Sequence, residues 1–246
     1  MTARVTALYR HPIKAVGREA VESAMLTEDE TFPGDRLWAV AHEASKAEAD
    51  AWSPCIAFLR AASSPQLMAV EARLDGGTVT LTHPERPEIR LHPDETPEAL
   101  IDWLRPLVAE GRAAPARVVR APAGRGMTDS SAASVTLGNA ASHRALEQRA
   151  GRRLSPHRWR CNIWVEGLAP WEEFDLVGRK LRIGAAEAEV CERIARCEAT
   201  QANPETGRRD TDMLGLLDEI GHRDFTVGLR VTSSGAVRLG DTVRAA

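Results

Sequence analysis

The chain has 246 residues, 43% of them hydrophobic and 27% charged, with a formal net charge of −3 at pH 7. This is the composition of a folded chain long enough for one large domain or two small ones. It argues against a disordered chain and against nucleic acid as a general partner.

The first third reads as strands. "RVTALY" alternates polar and apolar residues, "RLWAVAH" is a short apolar run after the turn "PGD", and "LMAVEARLDGGTVTLTH" is a hairpin around Asp75, Gly76 and Gly77. "EIRLH" extends the same sheet. Short strands without intervening helices predict a barrel or curled sheet rather than alternating strands and helices. In "TPEALIDWLRPLVAE", Thr96 is expected to cap a helix, Pro97 to open it, and Pro106 to end or kink it. Leu100, Trp103, Leu104 and Leu107 form its apolar face. "GRAAPARVVRAPAGRG" adds a short strand, and a domain junction falls near it, dividing the chain into residues 1–115 and 116–246.

In the second part, "NAASHRALEQRAG" reads as a helix stopped by Gly151, and "CNIWVEG" and "RKLRIG" as strands. "AEAEVCERIARCEAT" alternates like a strand but has the Ala and Glu content of a helix; the strand reading is taken. "TDMLGLLDEIG" predicts a helix of about three turns. "FTVGLRVTSSGAVRLGDTVRA" predicts a closing hairpin turning at Ser-Ser-Gly. The fold class expected is mainly β with short helices (α+β): a barrel-like first domain followed by a second β-barrel domain.

The cysteines are Cys55, Cys161, Cys191 and Cys197, with no close CxxC pair, so a zinc ribbon is not expected. No signal-like or membrane-length apolar run is present, which predicts a cytoplasmic protein with reduced thiols and no membrane partner. Cys197 follows Arg196 and precedes the turn "NPETG". It reads equally as a buried structural thiol or as a thiolate that converging arginines would stabilise for nucleophilic attack or soft-metal binding. Cys191 reads as core. In "SPHRWRCNIWVEG", Arg158 and Arg160 would share a face of an extended segment, and with Asn162 could clamp a phosphate or carboxylate. A solvated charged edge is the plainer reading. Glu172 and Glu173 could orient those arginines or sit in the first turn of a helix. Lysine occurs only as Lys14, Lys46 and Lys180; Lys14 follows the first strand, and Asp35 with Arg36 forms either a strand-entry ion pair or another anion contact.

Several of these segments together resemble the MOSC-domain family, named for the C-terminal domain of molybdenum cofactor sulfurase, in its form with a preceding β-barrel domain. The family's Tyr-Pro-Val/Ile-Lys-Ser pattern resembles "HPIKA", its "GxxxDRxW" resembles "FPGDRLW", and its "RFRPN" resembles "RWRCN". The "PWEE" motif, the Arg-Cys pair before "NPETG" and the terminal "GAVRLGDTV" complete the likeness. The resemblance implies a pyranopterin molybdenum cofactor at the junction of two domains, with Cys197 as the thiolate ligand to molybdenum. It implies cofactor contacts from Lys14 and Arg36 on one side and Arg160 and Asn162 on the other. It also implies oxygen-atom transfer, such as reduction of small N-hydroxylated substrates, with electrons from a separate flavin or iron-sulfur protein. Other members are described as cofactor or sulfur carriers, in which Cys197 would hold a persulfide. The family's serine after the lysine is Ala15 here, the proline of "RFRPN" is Cys161, and Ile194 stands where many relatives carry a second cysteine. A third reading, a relic of the fold, would bury the thiol and turn the arginines to solvent.

Overall fold

Along the first strand, β1 (Thr2–Arg10), the buried residues are Ala3, Val5 and then Leu8, so the two-residue alternation slips once. The slip coincides with a break in the register of its partner strand between Val5 and Ala7, where one extra residue is absorbed as a bulge. The computed structural model describes residues 2–246. After β1 come β2 (Glu19–Val21), β3 (Ser23–Leu26), β4 (Trp38–His42), β5 (Glu71–Asp75), β6 (Thr78–His83) and β7 (Arg86–Leu91). Helix α1 (Pro97–Leu104) and strand β8 (Pro115–Arg120) follow, then β9 (Val135–Asn139), α2 (Ala140–Ala150), β10 (Ile163–Glu166) and β11 (Lys180–Ile183). The chain closes with β12 (Ala186–Ala195), α3 (Met213–Asp218), β13 (Asp224–Ser233), β14 (Gly235–Arg238) and β15 (Thr242–Ala245).

The fold is mainly β with short helices. The large sheet runs β10-β9-β13-β12-β11-β15-β1-β2, and β1 also pairs with β10, which closes seven of its strands into a barrel. The barrel interior is apolar, with Leu137, Ile163, Leu181, Val190, Val227 and Leu229 all buried. A second core lies between the hairpin sheet β5-β6-β7, the pair β4-β8 and helix α1, and is filled by Trp38, Leu67, Leu81, Leu100 and Leu104. The predicted hairpin forms with Asp75 opposite Thr78 across Gly76 and Gly77. β8 starts at Pro115, straddles the expected division and pairs with β4 of the first part.

Four local expectations are corrected. Thr96 does not cap α1 with its side chain; its Oγ1 donates back to the His92 carbonyl at 3.2 Å. α3 is six residues long rather than three turns: Asp212 caps it through the Gly215 amide at 2.9 Å, and the chain has turned by Gly221 at φ +85°. β14 pairs with β3, not with β13, so the last strands form no hairpin at Ser-Ser-Gly. Gly235 lets β14 lie flat on the barrel, because a Cβ there would come within 2.5 Å of the Ala186 nitrogen. Cys191 is exposed rather than core, because the buried face of β12 is Ala186, Ala188 and Val190, and alternation puts Cys191 on the outer face with Glu187 and Glu189.

α2 behaves as its sequence predicts. Asn139 caps it by accepting from the Ala141 amide at 2.9 Å, and Gly151 ends it in the left-handed conformation. Glu173 fastens it to the barrel. Its buried carboxylate accepts from Asn139 Nδ2 and Ser142 Oγ, each at 2.8 Å, and burial raises its pKa. Of the two uses considered for the acidic pair, neither carboxylate reaches the arginines of "HRWR"; Glu172 accepts from the Ala169 amide at 2.8 Å in the first turn of a 3-10 segment, Glu172–Leu176. Glu173→Leu strands two buried donors, and should lower stability by about 2–4 kcal/mol in urea denaturation, with Glu173→Gln clearly milder.

Candidate functional site

β1 runs antiparallel to β10 with Leu8 opposite Ile163, and the Tyr9 amide donates to the Asn162 carbonyl at 2.8 Å. The segment leaving β1, His11 to Lys14, therefore lies against the segment entering β10, which carries Arg160. Lys14 is held by its own amide, which donates to the Trp38 carbonyl at 2.8 Å. Its ammonium is buried, donating to the Met127 carbonyl at 2.8 Å and pairing with Asp129. Arg36 sits at φ +53°, with its amide donating to the His11 carbonyl at 2.7 Å. Its guanidinium pairs with buried Asp35 and reaches the Arg160 carbonyl at 3.3 Å. Asp35 in turn accepts from the His11 amide at 2.7 Å and meets His11 Nδ1 at 3.0 Å. Arg160, at φ +46°, donates to the carbonyls of Gly17 and Ile13 at 3.1 and 3.2 Å.

Arg196 completes the cluster. It donates to the Phe225 carbonyl at 2.9 Å and to Thr226 Oγ1 at 2.8 Å, and lies 5.6 Å from the centre of the Trp159 ring. Thr226 is buried at φ +71°, a conformation that costs a β-branched residue energy. With Ala15 at φ +62°, four non-glycine residues around this cluster occupy the left-handed region, where strain is concentrated at sites the surrounding structure fixes firmly.

The electrostatics follow from cations packed together. Burial, then repulsion from Arg36, lowers the pKa of Arg160 to about 9. Burial lowers that of Arg196 to about 10. Both remain charged at neutral pH. Desolvation works to raise Asp129, but Lys14, Arg36 and Arg160 together hold it below the ordinary carboxylate value. Burial, then Arg160, pushes His11 down to about 3, so it is neutral. Cys161 is buried, and that burial pushes its thiol up to about 12, which makes it inert.

Lys14, Arg36 and Arg160 are thus brought together. Asn162 lies just behind them, its amide engaged with the Thr136 amide and hydroxyl at 3.1 and 2.9 Å and with the Tyr9 carbonyl at 3.2 Å. Cys197 is exposed, directly after Arg196, where β12 gives way to a 3-10 turn, Glu198–Gln201. An exposed thiol beside partly buried arginines is the reverse of the relic reading. Arg158 and Arg160 do not share a face: Pro156–Trp159 forms a 3-10 turn, not an extended segment. Arg158 is buried instead, donating to the carbonyls of Thr200 and Gln201 at 3.1 Å and pairing with Asp210 at 2.5 Å. It clamps the loop after Cys197. The "NPETG" turn docks on the first part of the chain: Gly207 packs where a Cβ would meet Gln66 Cα at 2.8 Å, and Arg18 donates to the Pro204 carbonyl at 3.0 Å.

Sequence reasoning gave no role to Arg196 or Asp129, and gave Arg158 a clamping role beside Arg160 that the structure does not bear out. The Arg-Cys adjacency was a usable signal for the first. Nothing local marks Asp129, since its partner Lys14 is far away in the chain. Among the described residues, no three His, Cys, Asp or Glu side chains converge as a metal-ligand set. A cavity of about 570 Å³ lies away from the cluster, between Pro65, Val108 and Arg208.

The profile of the MOSC N-terminal beta barrel domain matches residues 2–103, and that of the MOSC domain matches residues 125–244. The chain belongs to the MOSC domain family. The two matched regions are not separate in space, because β1 of the first closes the barrel of the second. No curated protein matches the chain. Among solved structures, it is similar to YiiM from Geobacillus stearothermophilus at 18% identity over 46% of this chain, with a TM-score of 0.37. It spans about half of that protein, 53%. It is also similar to the YUAD protein from Bacillus subtilis, at 11% identity over 99% of this chain and 94% of that one, TM-score 0.44. No helix is long and apolar enough to cross a membrane among the described residues.

Arg158→Met leaves two carbonyls without their donor and Asp210 with only the more distant Arg152, at 3.5 Å, as cation. It should cost about 3 kcal/mol of stability and speed amide exchange in residues 197–212 more than in the barrel strands. The His11 pKa is lowered in the folded protein, so the unfolded chain binds the extra proton between roughly pH 6.5 and the folded value of about 3. Stability should fall as pH drops through that window, by up to about 1.4 kcal/mol per unit from this group. His11→Gln should flatten the slope of denaturation midpoint against pH.

Proposed function

We propose that this MOSC-family chain binds a pyranopterin molybdenum cofactor and supports oxygen-atom transfer, such as the reduction of N-hydroxylated compounds. The observation that carries the reading is the gathering of Lys14, Arg36, Arg160 and Arg196, with only Asp35 and Asp129 as close carboxylates, one residue from exposed Cys197.

The residues fit such a group. A single exposed thiolate is a soft donor suited to a metal that brings its own dithiolene sulfurs. Buried and partly buried cations, Arg160 and Arg196 held by backbone carbonyls and only Lys14 and Arg36 paired with a carboxylate, are suited to an anionic phosphate. When bound, the cofactor would supply two-electron oxygen-atom chemistry. Lys14 and Arg36 would hold it from the β1 side, Arg160 from the β10 side, with Asn162 keeping that strand entry in register. Arg196 would keep positive charge beside Cys197. Arg158 would fix the loop that presents Cys197. The substrate would be a small molecule, the reducing equivalents would come from a separate flavin or iron-sulfur protein, and the setting would be cytoplasmic.

The exposure of Cys197 also supports a carrier reading, in which a persulfide forms there and no turnover occurs. Purified from a host that makes the cofactor, the wild type is expected to carry molybdenum and pterin. Cys197→Ala should lose at least about tenfold in molybdenum, and Lys14→Met should lose pterin with the thiol intact. Wild-type protein without metal or pterin, but with cyanide-labile sulfur absent from Cys197→Ala, would replace the oxidoreductase reading with the carrier.

A further inference from the structure

The segment from Ala121 to Ser134 crosses the basic cluster as a strap. Its Ala121 and Met127 amides donate to the carbonyls of Leu37 and Arg36 at 2.8 and 2.9 Å. Trp52 Nε1 donates to the Thr128 carbonyl at 3.0 Å. Arg125 braces the strap from within, donating to Thr128 Oγ1 at 2.9 Å and to the Ser130 carbonyl at 2.6 Å. At its far end Ser130 Oγ donates to Glu192 Oε1 at 3.1 Å, on the strand that leads to Cys197. Between these anchors hangs Asp129, paired with Lys14.

The two partners of that pair are unequal. The Lys14 side chain is 6% exposed and the Asp129 side chain 73% exposed. A buried ammonium is costly without an anion beside it. An exposed carboxylate loses little by turning to water. Lys14 therefore needs some anion, while Asp129 does not need Lys14. Lys14, Arg36 and Arg160 all act on the same Asp129 carboxylate, so an arriving anion and Asp129 compete for the same cations.

We propose that Asp129 is a built-in stand-in for a bound phosphate: it occupies the anion position of the cleft and gives way to the phosphate group of an incoming ligand. This rests on the cleft being an anion site, as proposed above, and adds that the protein carries its own competitor for it. The strap then changes its hold on Lys14 when the phosphate arrives, while its backbone anchors to Arg36 and Leu37 remain.

The test is titration of cofactor-free protein with inorganic phosphate at constant ionic strength, followed by calorimetry, for wild type, Asp129→Asn, Asp129→Ala and Lys14→Met. Removing the competing charge should tighten phosphate binding about tenfold in both Asp129 variants, and Lys14→Met should abolish it. Phosphate should also speed amide exchange at residues 128–131 in wild type. Asp129 variants that bind phosphate within about twofold of wild type overturn the proposal, as does wild-type binding that survives in Lys14→Met. Protein loaded with the pterin cofactor separates the sources of the phosphate. If the cofactor's own phosphate fills the position, the loaded protein no longer binds inorganic phosphate. If loaded protein binds it undiminished while the Asp129 effect holds, the stand-in stands and the cofactor assignment of this cleft fails.

Discussion

The antiparallel contact between β1 and β10 is the constraint on which the rest depends. It closes the barrel, so the first strand of the chain becomes part of a sheet built from its second half. It also brings two chain segments about 150 residues apart into one register, with Leu8 beside Ile163. Lys14 and Arg160 each lie just beyond the paired region, on the same end. A bulge between Val5 and Ala7 sets which face of β1 reaches that end. Slipping this register by one residue would turn the apolar side of β1 outward and carry the cations away from each other.

Gathering like charges at one end has to be offset locally. The structure does so with main-chain carbonyls: Met127 for Lys14, Arg160 for Arg36, Gly17 and Ile13 for Arg160, and Phe225 for Arg196. Carbonyls orient a guanidinium without cancelling its charge, so the cluster keeps a positive field. Arg36, Arg160 and Thr226 at this cluster all hold left-handed backbone conformations. Backbone strain and positive charge are concentrated at the same place in the fold. Two carboxylates are exceptions: Asp35, buried beneath the cluster, ties Arg36 to His11, and Asp129 pairs with Lys14.

Much of the secondary structure was legible because periodicity and turn chemistry are local. Gly76-Gly77 marks its hairpin, Pro97 and Pro106 bound α1, and Asn139 and Gly151 bound α2. The failures share a cause. The β13 to β14 turn looks like a hairpin, but β14 finds its partner in β3, more than two hundred residues earlier. Cys191 has apolar neighbours, but the buried residues of β12 are Ala186, Ala188 and Val190, and the strand's alternation turns Cys191 to the other face. Arg158 resembles a ligand clamp next to Arg160, but a 3-10 turn separates their directions and buries Arg158 against the Cys197 loop.

The sequence by itself determined the family, the β-rich class and the ends of α2, because motif chemistry and hydrophobic alternation are properties of neighbouring residues. Tertiary structure alone decided that Lys14, Arg36, Arg160 and Arg196 face one another and that Cys197 stands exposed beside them. It alone put Asp129 on Lys14. Those facts depend on long-range strand pairing and on bulges that redirect side chains, and neither is written in any short stretch of chain.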